Sequence, residues 1–590
     1  MKIYGFLMLI PFGFITWFIG TSPGNVEIST VTPKQISCTK TKYAAPRYWM
    51  AYEYCWTNNS PIPETVWKAN IDWVDENFKS FGYEMVSNDG WIEGAQTIDK
   101  NGYITKYNDS WINDFKYWSA YINGKGMQMG IYYNPMWLTK AAYDQNLKVK
   151  GTGYHTRDII GITSFNDPLY WVDVAKPGAK EWIQGYVSQF IEVGAKFLRI
   201  DFLENYERNY GTAKYEQALQ WIKEAAGDKL LISLVMPNCY SHAENELLYG
   251  DMIRIDGDCF NGGWDFVSDR KRGQWQQTWP QYANAFDGFI GFADIGGRDQ
   301  IILDGDFIRL NSLLNDTERK FQVSLFVIAG SPIAIADQYN TIGNSAWIYQ
   351  NTELLDLNNL GFAAKPLSYD SRDIDNSSRW VGQLPDGDWI VGLFNRESTD
   401  QTRSIDFAKE LGINGGTTDN VRDLWSHADM GSMSGVYSVN LAVHDCRILK
   451  IKNNIDRKYE AEVASMIGGA KKNTDHHNYG GPGFVDNFET VGAKVLFAVS
   501  VPSKGTYSLD VKYANSTGTI RTASVYLNDA KVPGPLSMPT LANWDTWDTA
   551  GKSISLNTGI NYIAIQYDSE NNGQFNLDFI QLIAEEQATH

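Results

Sequence analysis

The feature that most constrains the fold is a series of eight short apolar runs, most of them followed by a segment of helix length. They are RYWMAYE from Arg47, YEMVSND from Tyr83, MQMGIYYNP from Met127, FLRIDF from Phe197, LLISLVM from Leu230, MIRIDGD from Met252, FIGFADI from Phe289 and PIAIADQ from Pro332. Eight strand–helix alternations in one region predict an α/β fold, a (β/α)8 barrel over residues 41–365. In such a barrel the C-terminal strand ends carry the chemistry, because the pocket-shaping loops spring from them. Those ends collect acids and amides here: Asp89, Asn134, Asp201, Asn238, Asp258, Asp294 and Asp337.

Residues two apart in a strand face the same side. Arg199 and Asp201 therefore both point into the barrel top, as do Arg254, Asp256 and Asp258 on the sixth strand. A charge turned inward is costly unless it is paired or used. One reading is a structural ion-pair layer. The other is a pair of carboxylates facing one another across a pocket, which is what glycoside hydrolysis needs. Asp201 would attack the anomeric carbon, kept ionised by Arg199 nearby. Asp258 would protonate the leaving oxygen and then activate water, with its pKa raised by burial or by the charge on Asp201.

Beyond residue 365 the pattern changes to short alternating strands, RWVGQL, DWIVGLFNR, TRSIDF, YSVNLAV and CRILKIK, which predict an antiparallel β domain over residues 366–453. Residues 456–590 read as a β-sandwich of jelly-roll kind. The segment from Trp137 to Lys180 is long for a βα loop and is expected to shape the pocket. At the N-terminus, Met-Lys precedes an apolar run from Ile3 to Gly20, read as a signal peptide over residues 1–22, with an uncleaved anchor as the rival. A secreted or periplasmic protein follows, with no membrane contact once the signal is removed.

The formal charge of -18 with no basic run argues against nucleic acid as a partner. The five cysteines form no CxxC pair, so a zinc site is not expected. No Ser/His/Asp arrangement stands out, which leaves the carboxylates as the chemistry. The 14% aromatic share fits either sugar-stacking rings or a large core.

From about Pro46 to Lys452 the chain resembles glycoside hydrolase family 27, the α-galactosidase or melibiase family. LRID at Leu198–Asp201 matches the fourth-strand motif, and Arg254 with Asp258 matches the spacing of the family's acid/base. GYEMVSNDGW from Gly82, KGMQMGIYYNP, NDTERKFQVSLFVIAGSPIAIADQ and VRDLWSHADMG resemble the second strand, the third strand, the seventh helix with the eighth strand, and the trailing β domain. The resemblance implies a retaining α-glycosidase with nucleophile Asp201 and acid/base Asp258. It also implies a first subsite shaped by Asn88, Asp89, Trp91, Tyr133, Asn134, Arg199 and Arg254, acting on an oligosaccharide or polysaccharide without a catalytic cofactor. Asn88 stands where the family has Asp, Arg199 where it has Lys, and SLVMPNCY lacks the usual acid. α-Galactoside hydrolysis is the first expectation, and isomaltose release from an α-1,6-glucan the alternative. A non-catalytic carbohydrate-binding protein is a remote third.

The last unit resembles family 35 carbohydrate-binding modules through YEAE at Tyr459–Glu462 and NLDFIQL at Asn576–Leu582. The resemblance implies a structural calcium held by Glu460, Glu462 and Asp578, whose hard oxygens suit that ion; ordinary solvated carboxylates are the rival reading. It implies sugar contacts from Asp486 in GGPGFVDNF, Trp544, Trp547 and Asn576, with sandwich core the alternative for the aromatic rings.

Overall fold

The computed structural model describes residues 44–163, 169–239, 243–273, 275–453 and 457–585. The expected signal segment and Cys38 lie outside them.

Eight parallel strands form the barrel: β1 Arg47–Met50, β2 Met85–Ser87, β3 Gln128–Tyr132, β4 Ala195–Ile200, β5 Leu231–Leu234, β6 Met252–Arg254, β7 Ile302–Asp304 and β8 Ile333–Ile335. They pair in sequence from β1 to β7, and β8 pairs β1 through Tyr48–Ala334. The remaining seam closes where Ile308, just past β7, bridges Ile335. Alternation along the strands divides the core in two. Tyr48, Met50, Phe197 and Met252 pack together inside the barrel. Trp49, Val86, Leu198, Ile200 and Ile253 face outward to the helices in a larger cluster. Gly130 on β3 is required by this interior, since a Cβ there would lie 2.9 Å from Phe197 and Ser87.

The surrounding helices start where short polar side chains cap them. Asp114 accepts from Tyr117 N ahead of Phe115–Gly124, and Asn315 accepts from Glu318 N ahead of Asp316–Ile328. One expected strand is corrected. FIGFADI belongs to helix Ala285–Gly291 and the turn after it, and the seventh strand is Ile302–Asp304. Asn284 caps that helix by accepting from Asp287 N, and the run is too short for periodicity to tell helix from strand. Asp294 is accordingly exposed and off the barrel top.

The long segment after β3 forms a small antiparallel sheet of Trp137–Thr139, Leu169–Val172 and Ile160–Thr163. After the barrel, a six-stranded sheet is built on Arg379–Gln383, Trp389–Phe394 and Cys446–Ile451, with Gln401–Asp406 paired separately to Val436–Leu441. The C-terminal region is two facing sheets over a core that includes Val485, Val495, Phe497, Leu509 and Ile580. It is docked rather than strung out. Tyr459 Oη donates to Pro385 O at 2.8 Å, Gln383 Nε2 donates to Lys458 O at 3.0 Å, and Arg298 of the barrel lies over the Tyr562 ring at 5.2 Å. Among the described residues no helix is long and apolar enough to cross a membrane.

Candidate active site

The C-terminal ends of β2, β3, β4 and β6 converge on an open cavity of about 330 Å³. Asp89, Trp91, Arg199, Asp201, Arg254 and Asp258 all line it, so the structure brings both candidate catalytic aspartates into one pocket. Tyr52, Trp56 and Phe307 supply aromatic walls. The parallel Tyr52 and Trp56 rings lie 6.3 Å apart at 3°.

Asp201 follows β4 directly. Its Oδ2 accepts from Tyr132 Oη at 2.7 Å and its Oδ1 from Phe202 N at 2.6 Å. Burial raises its pKa, the charge on Asp258 raises it further, and Tyr132, Phe202 N and Arg199 act against the rise. Arg199 lowers the Asp201 pKa as expected, but it does so without a hydrogen bond to it, because the guanidinium is committed elsewhere. Its Nη1 donates to Asp304 at 2.6 Å and its Nη2 to Asp306 at 3.0 Å. Burial, one of the two influences expected on Asp258, is only partial. Its side chain is 43% exposed, and Arg254 Nη2 donates to its Oδ1 at 3.0 Å.

Three expected subsite residues have other positions. Tyr133 faces outward, because Gly130 and Tyr132 own the inner face of β3 and Tyr133 has the opposite parity. It is fully buried, stacks on Tyr186 at 4.9 Å and hydrogen-bonds to it. Tyr132 lines the pocket instead. Asn88 ties β2 to β3, its Oδ1 accepting from Tyr132 N at 3.0 Å, and does not line the cavity. Asn134 is fully buried and acts from behind, its Nδ2 donating to Asp201 O at 2.7 Å.

The sequence reading missed Asp304, Asp306 and Glu93. Asp306 is a buried junction beneath the pocket. It accepts from Arg199, from Arg254 Nη1 at 2.5 Å and from Cys259 N at 2.8 Å, so it links the strands that present Asp201 and Asp258. Its signal was present: IILDGD ending at Asp306 repeats the apolar-then-acid form of MIRIDGD. The backbone in and around the pocket is strained. Trp91, Phe202, Phe260 and Asp306 all have left-handed φ, at 65°, 62°, 50° and 68°. Such backbone in non-glycine residues gathers at functional sites.

In the sandwich, Glu460, Glu462 and Asp578 are buried near the Gly480–Gly481 turn. Both carboxylate oxygens of Glu462 are buried without a hydrogen-bond partner. A Cβ on Gly481 (φ 59°) would lie 3.0 Å from Glu462 Oε1. Lys458 Nζ stands 2.5 Å from Glu460 and Lys512 Nζ 2.8 Å from Asp578. With these side-chain positions, no three acidic, thiol or imidazole groups among the described residues converge as a ready metal cage. Trp547 packs on Phe484 at 5.4 Å and Trp544 lies near His476; both tryptophans are half-buried. Asp486 Oδ2 accepts from Asn473 at 2.6 Å, and Asn576 is buried on the neighbouring strand, so neither is a freely presented sugar contact.

A barrel whose pocket holds two aspartates from the fourth and sixth strands, walled by aromatic rings, defines the class: a glycoside hydrolase. Comparison with known proteins narrows it. The family described as the α-galactosidase C-terminal β-sandwich domain matches residues 375–451, and carbohydrate-binding module family 35 matches residues 457–584. An isomalto-dextranase of Arthrobacter globiformis is 41% identical, covering 95% of this chain and 94% of its own. The solved structure of the A. globiformis T6 isomalto-dextranase with panose aligns with a TM-score of 0.88 and 42% identity, over 92% of this chain and 98% of that one. A β-L-arabinopyranosidase of family 27 from Geobacillus stearothermophilus shares the fold at 20% identity, with a TM-score of 0.58 over 70% of this chain and 98% of that one. The chain belongs to glycoside hydrolase family 27 and carries a C-terminal family 35 carbohydrate-binding module.

Proposed function

We propose that this enzyme releases isomaltose from α-1,6-glucan with retention of anomeric configuration. The observation that carries the reading is likeness to an isomalto-dextranase along nearly the whole of both chains, 95% of this one and 94% of the other. The α-galactoside reading has less support. The matching α-galactosidase of Cyamopsis tetragonoloba is 25% identical over only 23% of this chain.

In this reading Asp201 attacks the anomeric carbon while Asp258 gives its proton to the leaving glycosidic oxygen. Asp258 then takes a proton from water, which attacks the glycosyl ester and frees Asp201. Tyr132 and Phe202 N steady the Asp201 carboxylate as the ester forms and breaks. Arg254 donates to Asp258. Two features support a substrate other than galactoside. Asn88 is occupied with the β3 backbone, and Val235 rather than an acid reaches the pocket after β5. A site lacking the polar partner for an axial hydroxyl leaves that group unpaired, at about 1–3 kcal/mol.

The test is a rate comparison. Dextran should be cleaved fast, with isomaltose as product and the α-anomer appearing first by NMR, and nitrophenyl α-galactoside should be cleaved slowly. Fast cleavage of nitrophenyl α-galactoside and melibiose with dextran untouched would restore the galactosidase reading. An inverted first product would exclude double displacement.

The apolar run from Ile3 to Gly20 supports an extracytoplasmic enzyme, as does a polymeric substrate. N-terminal sequencing of the exported protein tests this. For calcium, the orphaned oxygens of Glu462 and the room left by Gly481 support binding by Glu460, Glu462 and Asp578, which would require the neighbouring lysines to give way. The ion would neutralise carboxylates that burial leaves short of partners.

A further inference from the structure

Glu93 lines the pocket beside Asp201, in the single turn Ile92–Gly94 that follows the left-handed Trp91. Neither the family motifs nor the catalytic cycle above gives it a task. Its Oε1 lies 3.3 Å from Tyr132 Oη, and that same hydroxyl lies 2.7 Å from Asp201 Oδ2. A phenol has one proton to donate. Tyr132 keeps that proton, because burial and the charges of Asp201, Glu93 and Asp89 push its pKa well above the ordinary tyrosine value. The proton can serve one carboxylate at a time. Which one it serves depends on whether Glu93 is an acceptor or a donor.

The charged surroundings favour a donor. Asp201 faces Glu93 from the end of β4, Tyr132 and Tyr133 from β3, Cys55 from helix Tyr52–Asn58, and Tyr107 from the loop before helix Phe115–Gly124. Asp89 lies on its own loop. The nearby cations are already engaged, Arg199 by Asp304 and Asp306, and Arg254 by Asp306 and Asp258. Burial pushes Glu93 up to about 7, aided by the charge on Asp201 and opposed by the backbone N–H groups of Glu93 and Trp91 and by Tyr132.

We propose that Glu93 is a positioning residue for Asp201. In its neutral form it donates to Tyr132 and thereby commits the Tyr132 proton to the nucleophile. When Glu93 loses its proton, Tyr132 is drawn towards two competing carboxylates, and Asp201 loses its fixed side-chain donor and keeps only Phe202 N. Activity should therefore fall as the pH rises through the Glu93 titration, independently of the acid/base. The proposal rests on the reading of Asp201 as nucleophile.

The experiment uses α-isomaltosyl fluoride, in which the bond from C1 to Asp201 forms as the C1–F bond breaks and fluoride leaves, with no proton required from Asp258. The nucleophile is identified separately with a 5-fluoroglycosyl fluoride, followed by peptide mass spectrometry. With the label on Asp201, Glu93→Gln, whose amide still donates to Tyr132, should keep kcat/KM within about fivefold and lose the alkaline limb near neutrality. Glu93→Leu should lose roughly 10- to 100-fold, the worth of one hydrogen bond to a charged group. In a Tyr132→Phe background the difference between Gln and Leu should vanish, because the relay is gone. A label on another residue overturns the nucleophile reading and this proposal together. A label on Asp201 with Gln as damaging as Leu, with the alkaline limb unmoved, or with the difference persisting in Tyr132→Phe, overturns the Glu93 proposal alone.

Discussion

At the top of the barrel, Arg199 and Arg254 each hold two or more carboxylates, and Asp306 sits between them with its oxygens satisfied. In the sandwich, Glu460, Glu462 and Asp578 are as deeply buried, but their cations are lysines, and both oxygens of Glu462 are left over. The contrast is one of geometry. A guanidinium presents five N–H groups in a planar fork and can bridge several acids at once, whereas an ammonium is a point charge on a flexible stem. At Asp306 the barrel junction is satisfied within the chain and can act as a rigid floor for catalysis, although Asp256, 3.5 Å from Arg254 Nε, has both oxygens buried without a hydrogen bond. The sandwich cluster leaves both oxygens of Glu462 without a hydrogen bond beside two lysines, a shortfall that the proposed calcium would relieve.

The sharpest way to separate the pocket from its floor is Asp201→Asn. It keeps shape and removes the nucleophile, so kcat should fall by roughly four orders of magnitude while oligosaccharide binding survives. Near-normal turnover of the purified variant would move the nucleophile elsewhere. The floor is tested by Asp306→Asn, which leaves two buried arginines without their shared anion. A loss of about 3–5 kcal/mol is expected, read as a lower barrel transition in calorimetry. A change in activity with an unchanged transition would mean that the junction is not structural.

The sandwich is tested with chelator. If calcium completes it, removing ion present at about 100 times its dissociation constant costs about 2.7 kcal/mol, and the sandwich transition should fall. An unchanged melting curve would show that the lysines suffice. The smallest effect concerns Asp89, whose Oδ1 accepts from Gly90 N and whose buried Oδ2 has no hydrogen-bond partner. Burial pushes its pKa up to about 8. A carboxyl raised on folding contributes stability that is complete below its unfolded value near pH 4 and is lost as the pH rises through 8. Between pH 5 and 6 the wild type should therefore lose about 1.4 kcal/mol more stability than Asp89→Asn, the linkage of one proton over one pH unit. Parallel pH profiles would sink this assignment.

The barrel and the pair Asp201 and Asp258 were legible because strand parity and acid-terminated runs survive in one dimension. Tyr132 and Tyr133 show the limit. Two adjacent tyrosines satisfy the same motif, and only the register set by Gly130 against Phe197 and Ser87 decides which enters the pocket. Asp304 and Asp306 were hidden by assigning the seventh strand to FIGFADI, a run that a cap at Asn284 turns into helix. Glu93 offered no pattern at all. Its position depends on one left-handed residue, Trp91, which turns the chain back over the pocket.

The docking of the sandwich has a mechanical consequence. A binding module on a loose tether raises the local concentration of substrate but leaves its direction to chance, with a gain set by tether length. Here Tyr459, Lys458 and Tyr562 are fastened to Pro385, Gln383 and Arg298. If the sandwich grips a glucan, it does so as a fixed guide rail. The strand's path towards the barrel mouth would then be dictated by the fold, and the rail would favour chains long enough to span both parts over short fragments that reach the pocket alone.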